Sequence, residues 1–204
     1  MTVEHAVVHP GDVLRDDAQV YLLGGSEDTD VAECARRLRM GGELRRAVDG
    51  GAVVLAVGAG FQVLGHRFQD LDGRFHDGVG LLDVVMRSGP IAAGPVVTTP
   101  NLELGLPAMS GYEHHVSAAS LGPGSQPLAA LEIGMGNGPS GGLNHDGAVT
   151  GRVVGTWLHG PVLPRNPELA DLLLRWSGIE PLLQDDSLAA RVRVTRLAQA
   201  RARR

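Results

Sequence analysis

The chain has 204 residues, a net charge of −5 and one cysteine, Cys34. This length suits a single α/β domain that buries a core without disulfides or metal. The acidic balance argues against a nucleic-acid partner, and no apolar run approaches the roughly 18 residues of a membrane span. The N-terminus lacks the basic flank and apolar core of a signal peptide, so the sequence predicts a cytoplasmic protein.

Strand and helix signals alternate along the first third of the chain. Apolar periodicity and Gly-rich breaks predict, in chain order, a strand, two helices, a strand and a helix over 19–23, 30–40, 44–48, 52–57 and 61–68. Cys34 falls on the apolar side of the first helix, where we expect a buried structural cysteine.

The middle of the chain has a different pattern. Short apolar runs over 78–85, 96–97 and 110–115 are separated by Gly and Pro, which predicts a short antiparallel insertion of several brief strands. Two further strands, over 128–133 and 151–158, precede a regular helix from Pro167 to Trp176.

The chain divides into a domain over 1–180 and an Arg-rich tail over 181–204. Apolar residues alternate with the arginines of the tail, which predicts a helix. Two interpretations stay open for it: a helix that docks on a partner, or a solvated basic segment.

The run 52–65 combines a buried strand, a tight small-residue turn and the start of a helix. This pattern is typical of a nucleophile elbow, in which a sharp turn exposes one side chain beside the helix N-terminus. Gly58 stands at the apex and has no side chain to attack a substrate. A second apolar run ends at His159, so the sequence has a candidate base without its nucleophile.

Two other clusters have simpler interpretations. Glu113, His114 and His115 could suggest a metal, but adjacent residues of a strand point to opposite faces and no ligand spacing supports a site. No metal is therefore predicted. The Gly-rich run 134–138 lacks the Gly-Lys-Ser/Thr of a phosphate loop and is interpreted as a turn.

Five segments, in order and with similar gaps, resemble the class I, CobB/CobQ-type glutamine amidotransferases, and most closely the actinobacterial GatD family. They are 21–28, 54–65, 77–83, 111–115 and 155–161 continuing through 165–174. The resemblance covers 18–178. It implies a three-layer, flavodoxin-like α/β fold.

The resemblance also implies a chemistry. In the family, an elbow cysteine attacks the side-chain amide of glutamine and a histidine shuttles its proton, giving a glutamyl thioester and ammonia without a cofactor. His159 falls on the family's histidine, whereas Gly58 falls on its cysteine. The N–H groups of Gly25 and Ala59 are expected to hold the oxyanion, and Gln62 is expected to contact substrate.

The chain departs from the family pattern at two side chains. Gly58 removes the nucleophile, a loss that typically lowers the rate by several orders of magnitude. The family's glutamine-anchoring arginine falls near Ile91, with Pro95 where a polar residue is common and Arg87 close by. We therefore expect impaired or absent catalysis.

A third departure concerns the start of the chain. The family usually opens with a strand and a helix before the equivalent of Val3–Val7, and we expect this first strand and helix to be missing. Neither Ser26 nor Cys34 sits at an elbow to replace the thiol. Glycine at position 58 has two explanations: natural degeneration of the active site, which we favour, or an engineered replacement of the cysteine. His159 is then either a remaining base or a packing residue.

The resemblance implies a GatD-like glutaminase subunit that is inactive because Gly58 replaces the nucleophile. In that role it supplies ammonia from glutamine to a MurT-like synthetase of the Mur-ligase family, which amidates lipid II in peptidoglycan synthesis. The alternative is a pseudoenzyme that stabilises or regulates a synthetase partner without hydrolysing glutamine. The amidotransferase domain of cobyric acid synthase is a further alternative, which the sequence disfavours because it shows no fused ATP-binding domain.

Overall fold

A computed structural model describes residues 3–9, 11–24, 31–138, 144–182 and 187–202. In chain order its elements are β1 (Val20–Leu23), α1 (Val31–Gly41), α2 (Glu43–Asp49), β2 (Val53–Val57), α3 (Ala59–Leu64), β3 (Arg67–Gln69), β4 (Phe75–Asp77), β5 (Val84–Thr98), β6 (Ser110–Leu121), β7 (Ala129–Ile133), β8 (His145–Asp146), β9 (Ala148–Thr150), β10 (Val153–Thr156), α4 (Val162–Arg165), α5 (Pro167–Trp176) and α6 (Ser187–Ala202).

Four strands form the sheet that carries the elbow, in the order β1-β2-β10-β9. β1, β2 and β10 run parallel, and β9 is antiparallel to β10. The side chains of β2 alternate between two cores: Val54 and Ala56 pack with helices α1, α2 and α3, whereas Val53 and Leu55 pack with α5. A strand covered on both faces reads as a continuous apolar run. The predicted three-layer α/β fold is confirmed.

The middle of the chain forms a second sheet of six strands. Its order is β4-β3-β5-β7-β8, and β6 pairs with β5. The predicted series of brief strands is wrong, because β5 and β6 are single strands of 15 and 12 residues that form one long antiparallel hairpin. The pairing register shifts between Ser88 and Ala92. Gly89 and Pro90 lie in this irregularity, so they do not end the strand.

The helix after the elbow is shorter than predicted. It ends at Leu64 rather than near Phe68, and Phe68 is a buried residue of β3. Gly65 ends the helix because its backbone is extended and lies against β5: a Cβ at Gly65 would stand 2.8 Å from the carbonyl oxygen of Val84.

Cys34 is exposed, so the prediction of a buried cysteine is wrong. The fully buried residue of α1 is its neighbour Ala35, with Val31 and Leu38 partly buried beside it. One helical residue turns the chain by about 100°, so Cys34 lies just outside this narrow face.

Of the two C-terminal helices, α5 packs against the face of the four-stranded sheet opposite α1, whereas α6 lies on the β5–β6 hairpin. α5 has the predicted bounds and buries Leu169, Leu172 and Leu173. α6 lies against α4, β5 and β6 of the same chain, and Ala200 is its buried contact. Every helix within the described ranges is too short or too polar to span a bilayer.

We predict that Gly155→Ala strongly destabilises the fold. Gly155 lies in β10, and a Cβ there would stand 2.1 Å from Cδ2 of Phe61, a ring with no exposed surface. β10 is hydrogen-bonded to β2 and β9, and α3 packs into the core against the sheet. Because neither element can shift without losing these contacts, we expect a loss of ~3 kcal/mol in the free energy of unfolding, measured by urea denaturation.

Gly24→Ala is the matched control. A Cβ at Gly24 meets nothing within 4 Å, so we expect a change within ~0.5 kcal/mol. Equal effects of the two substitutions would contradict the packing argument.

Candidate active site

The turn between β2 and α3 has the geometry of an elbow. Gly58 has φ 61° and ψ −118°, a combination that L side chains adopt only with strain. Its N–H donates to the carbonyl oxygen of Thr156 (3.0 Å), and its own carbonyl oxygen accepts from the N–H groups of Phe61 (2.9 Å) and Gln62 (3.2 Å). The turn is thus held on both sides, and a glycine at its apex relieves the strain that a side chain would bring.

The end of β1 lies against the first turn of α3. A Cβ at Gly60 would stand 2.6 Å from the carbonyl oxygen of Leu23, so this contact requires a glycine. Ala59 is the first residue of α3, and N–H groups of a first turn have no partner within the helix. Gly25, the other predicted oxyanion residue, lies outside the described residues, as does Ser26.

His159 follows β10 at the same edge of the sheet as Gly58. β10 pairs in parallel with β2, with Thr156 opposite Val57, so the two strands end side by side. The backbone beyond β10 is fixed by Tyr112 of β6: the N–H of His159 donates to the Tyr112 carbonyl oxygen (2.8 Å), and the N–H of Tyr112 donates back (3.3 Å).

The imidazole of His159 is half-buried. Its Nε2 is buried and has no hydrogen-bond partner among the described residues. Burial, and secondarily the charges of His115 and His114, lower the pKa of His159. A neutral imidazole with a vacant nitrogen can accept a proton from an attacking group.

The two predicted substrate-contacting positions, Gln62 and Ile91, differ in how exposed their side chains are. Gln62 is half-buried, and its Nε2 donates a hydrogen bond to Oγ of Ser117, which ties α3 to β6. Ile91 is 72% exposed on β5. The nearby Arg87 packs its guanidinium 5.3 Å from the ring centroid of Phe75 on β4.

A buried pair of side chains on β6, Glu113 and His115, was not predicted to contribute to the site. Both side chains face inward at two-residue spacing, whereas His114 between them is exposed. His115 Nε2 lies 3.5 Å from Oε2 of Glu113, and its ring stacks 4.0 Å from that of Trp157. Within the described ranges, no three His, Cys, Asp or Glu side chains come together as metal ligands.

The carboxylate of Glu113 is bound by a Gly-rich turn. The N–H groups of Met135 and Gly136 each donate to it at 2.7 Å. Burial favours the neutral acid, but His115 and these two N–H groups together lower the pKa of Glu113. The spacing of Glu113 and His115, and the turn over 134–138, were signals in the sequence, but only the fold shows that they meet.

Asp146 is the second buried carboxyl group. It has no exposed surface, accepts a hydrogen bond from the hydroxyl of Thr156, and accepts another from the N–H of Trp157 (3.2 Å). Burial raises the pKa of Asp146 to about 6, against the opposing effect of these hydrogen bonds. Asp146 and the ring of His115 therefore hold the chain two residues before His159.

We predict that Asp146 makes stability depend on pH. Because its pKa is raised from 3.8 to about 6 in the folded state, the folded protein binds the proton more tightly than the unfolded chain does. The free energy of unfolding therefore falls as pH rises through this interval, by roughly 3 kcal/mol in total. As pH rises from 4 to 7, the free energy of unfolding of Asp146→Asn should therefore increase by this amount relative to that of the unmodified protein. Urea denaturation at several pH values measures the difference.

The exposed Asp49, changed to Asn, provides the control and should show no such gain. A difference between Asp146→Asn and the unmodified protein that stays constant with pH would contradict this account of the buried carboxyl group.

Comparisons with known proteins point to one family. The family of CobB/CobQ-like glutamine amidotransferase domains matches residues 1–167. A cobyric acid synthase of Azorhizobium caulinodans is 34% identical over 164 residues, which are 75% of this chain and 31% of that protein. The lipid II isoglutaminyl synthase (glutamine-hydrolyzing) subunit GatD of Staphylococcus aureus is 28% identical over 160 residues, 78% of this chain and 63% of that subunit.

A solved structure agrees with the fold. A glutamine amidotransferase crystal structure superposes with a TM-score of 0.57, covering 82% of this chain and 85% of that chain at 18% identity. The chain spans less than two thirds of both curated relatives.

Proposed function

Because the chain belongs to the family of CobB/CobQ-like glutamine amidotransferase domains, we propose that it is a GatD-like subunit of a MurT-like synthetase that amidates lipid II. We further propose that its own glutaminase step is blocked at Gly58. The observation that carries this second part is Gly58 itself, a residue without a side chain that stands, with φ 61° and ψ −118°, at the sharp turn between β2 and α3.

The chemistry that Gly58 removes is the covalent step. In a glutaminase of this type a thiolate attacks the amide carbon of the glutamine side chain, the imidazole gives its proton to the departing ammonia, and water then hydrolyses the thioester. Gly58 offers no atom that could form the carbon–sulfur bond. The remaining groups, His159 and the N–H of Ala59, can orient or polarise an amide but cannot replace that bond.

The role that survives is binding a synthetase, since a partner surface needs no nucleophile. The alignment with the GatD subunit, which spans 63% of that relative, supports this partner class. Glutamine stays a candidate ligand, because two groups that could contact it lie near the elbow. Gln62 is on α3, directly after the elbow, and the buried Nε2 of His159 belongs to the segment after β10, which pairs with β2.

A second candidate is the amidotransferase part of a cobyric acid synthase. The 34% identity to the Azorhizobium caulinodans enzyme supports it as strongly as the 28% identity supports a GatD role. The two proposals share the blocked glutaminase step and differ in the partner.

The substitution Gly58→Cys tests the blocked step. We expect the unmodified chain, co-expressed with its synthetase, to release no ammonia from glutamine, and the Gly58→Cys complex to release it at least ~10³-fold faster than that background. A coupled ammonia assay measures the rate. A cysteine at this φ costs about 1–3 kcal/mol, so Gly58→Ala, with equal strain and no thiol, is the matched control.

Adding His159→Ala to Gly58→Cys should return ammonia release to background. Ammonia release by the unmodified chain, or an inactive Gly58→Cys variant that folds as Gly58→Ala does, would overturn the proposal that Gly58 alone blocks the reaction.

The partner is tested separately. We expect the chain to co-elute with the MurT-like synthetase of its source organism in size-exclusion chromatography and to gain thermal stability in that complex, because binding only the folded state stabilises it. Co-elution with the ATP-dependent part of a cobyric acid synthase instead would replace the GatD role by the second candidate.

A further inference from the structure

A small cavity lies where α4 and α6 meet the β5–β6 hairpin. Its volume is about 200 Å³, and its polar lining comes from Ser110, Tyr112, Arg165, Arg196 and Gln199. This is smaller than the roughly 300–1,000 Å³ of an ordinary ligand pocket. The cavity therefore suits one small group rather than a whole drug-sized molecule.

Two guanidinium groups in this cavity have no carboxylate partner within the described part of the chain. Arg165 is half-buried on α4 and Arg196 lies on α6, and no acidic residue is among those that line the cavity. By contrast Arg193 and Arg201, on the same helix as Arg196, each pair with a carboxylate. Burial, and secondarily the charge of Arg196, lower the pKa of Arg165, as expected for two cations that are not neutralised.

The hydroxyl of Ser110 is an independent sign of a missing ligand. Ser110 is 4% exposed, and its Oγ has no hydrogen-bond partner among the described residues. Its backbone is fixed, because its N–H donates to Asn166 Oδ1 (2.9 Å) and its carbonyl oxygen accepts from Asn166 Nδ2 (3.1 Å). A buried hydroxyl without a partner is unfavourable and calls for an explanation.

The strand geometry places Ser110 on the face of β6 that borders the cavity. Ser110 and Tyr112 lie on the same face of β6, since side chains alternate along a strand. Ser110 pairs with Val97 and Tyr112 with Pro95, and all four residues line the cavity. Gly111 also lines the cavity, but only with its backbone, because a Cβ there would point to the core and stand 2.7 Å from Cδ2 of Leu158.

We propose that this cavity binds a phosphoryl group, as free phosphate, diphosphate or the terminal group of a phosphorylated small ligand. Arg165 and Arg196 supply the charge and the forked N–H donors that phosphate prefers. Ser110 Oγ and the amide of Gln199 supply neutral donors. Because these donors come from α4, α6 and β6, they surround a tetrahedral anion better than a planar carboxylate, which takes its bonds in one plane.

The cavity adjoins the candidate active site. Tyr112 lines the cavity and pairs through its backbone with His159. A Cβ at Gly160, the residue after His159, would stand 3.8 Å from Nη2 of Arg165. A bound phosphoryl group would therefore join α6 to the segment that carries His159. This site does not depend on the proposed function, because no group in it takes part in glutamine hydrolysis.

Titration calorimetry of the whole chain with inorganic phosphate and with diphosphate tests the proposal. We expect binding of at least one of them, with a rise in Tm that sodium chloride of equal ionic strength does not reproduce. Arg165→Gln and Arg196→Gln should each weaken binding roughly tenfold or more. Arg191→Gln removes the same charge from α6 outside the cavity and should leave the affinity unchanged.

Ser110→Ala separates binding from folding. Because Ser110 Oγ has no hydrogen-bond partner among the described residues, the Tm without phosphate should not fall, whereas phosphate affinity should drop several-fold. The proposal is overturned if neither anion binds at millimolar concentration, if Arg191→Gln weakens binding as much as Arg196→Gln, or if acetate binds as well as phosphate.

Discussion

β2 and β10 run side by side in the centre of the sheet, and the N–H of Gly58 donates to the Thr156 carbonyl oxygen beyond their last paired residues. Carboxyl ends of neighbouring parallel strands meet at one edge, so this pairing brings the elbow and the segment ending at His159 together. Phe61 packs directly on Gly155, which keeps α3 close to β10. Without this pairing the elbow and His159 would have no fixed relation.

The segment between β10 and His159 is held by an unusual concentration of buried polar groups. Trp157 stacks on His115, donates through Nε1 to Asn137 (3.2 Å), and donates through its backbone N–H to Asp146. Hydrogen bonds are electrostatically stronger in a buried setting than in water, which favours a single arrangement of this segment. We infer that the role of these buried groups is to orient the backbone that leads to His159.

A glycine at the apex of the elbow is compatible with this architecture. The elbow at Gly58 depends on backbone hydrogen bonds and packing, and a glycine adopts its φ more easily than a cysteine does. The fold of the elbow therefore does not depend on a cysteine at this position. The helix α6 adds a surface of its own, since it closes a cavity beside the segment that carries His159, and the two arginines of that cavity have no carboxylate partner among the described residues. The proposed partner binding and anion binding do not require a nucleophile at position 58.

The sequence alone determined the elements whose signals are local: the buried strand β2, the elbow at Gly58 and the helix α5 with its bounds. It also identified the family of CobB/CobQ-like glutamine amidotransferase domains, which is confirmed. Only the tertiary structure decided the length of the β5–β6 hairpin and the exposure of Cys34, because long-range pairing and packing override local Gly and Pro signals and a narrow apolar stripe. It also decided the contacts of Glu113 with the turn over 134–138 and of Asp146 with Thr156 and Trp157. These partners are distant along the chain, and the pKa values of both carboxyl groups depend on neighbours that only folding supplies.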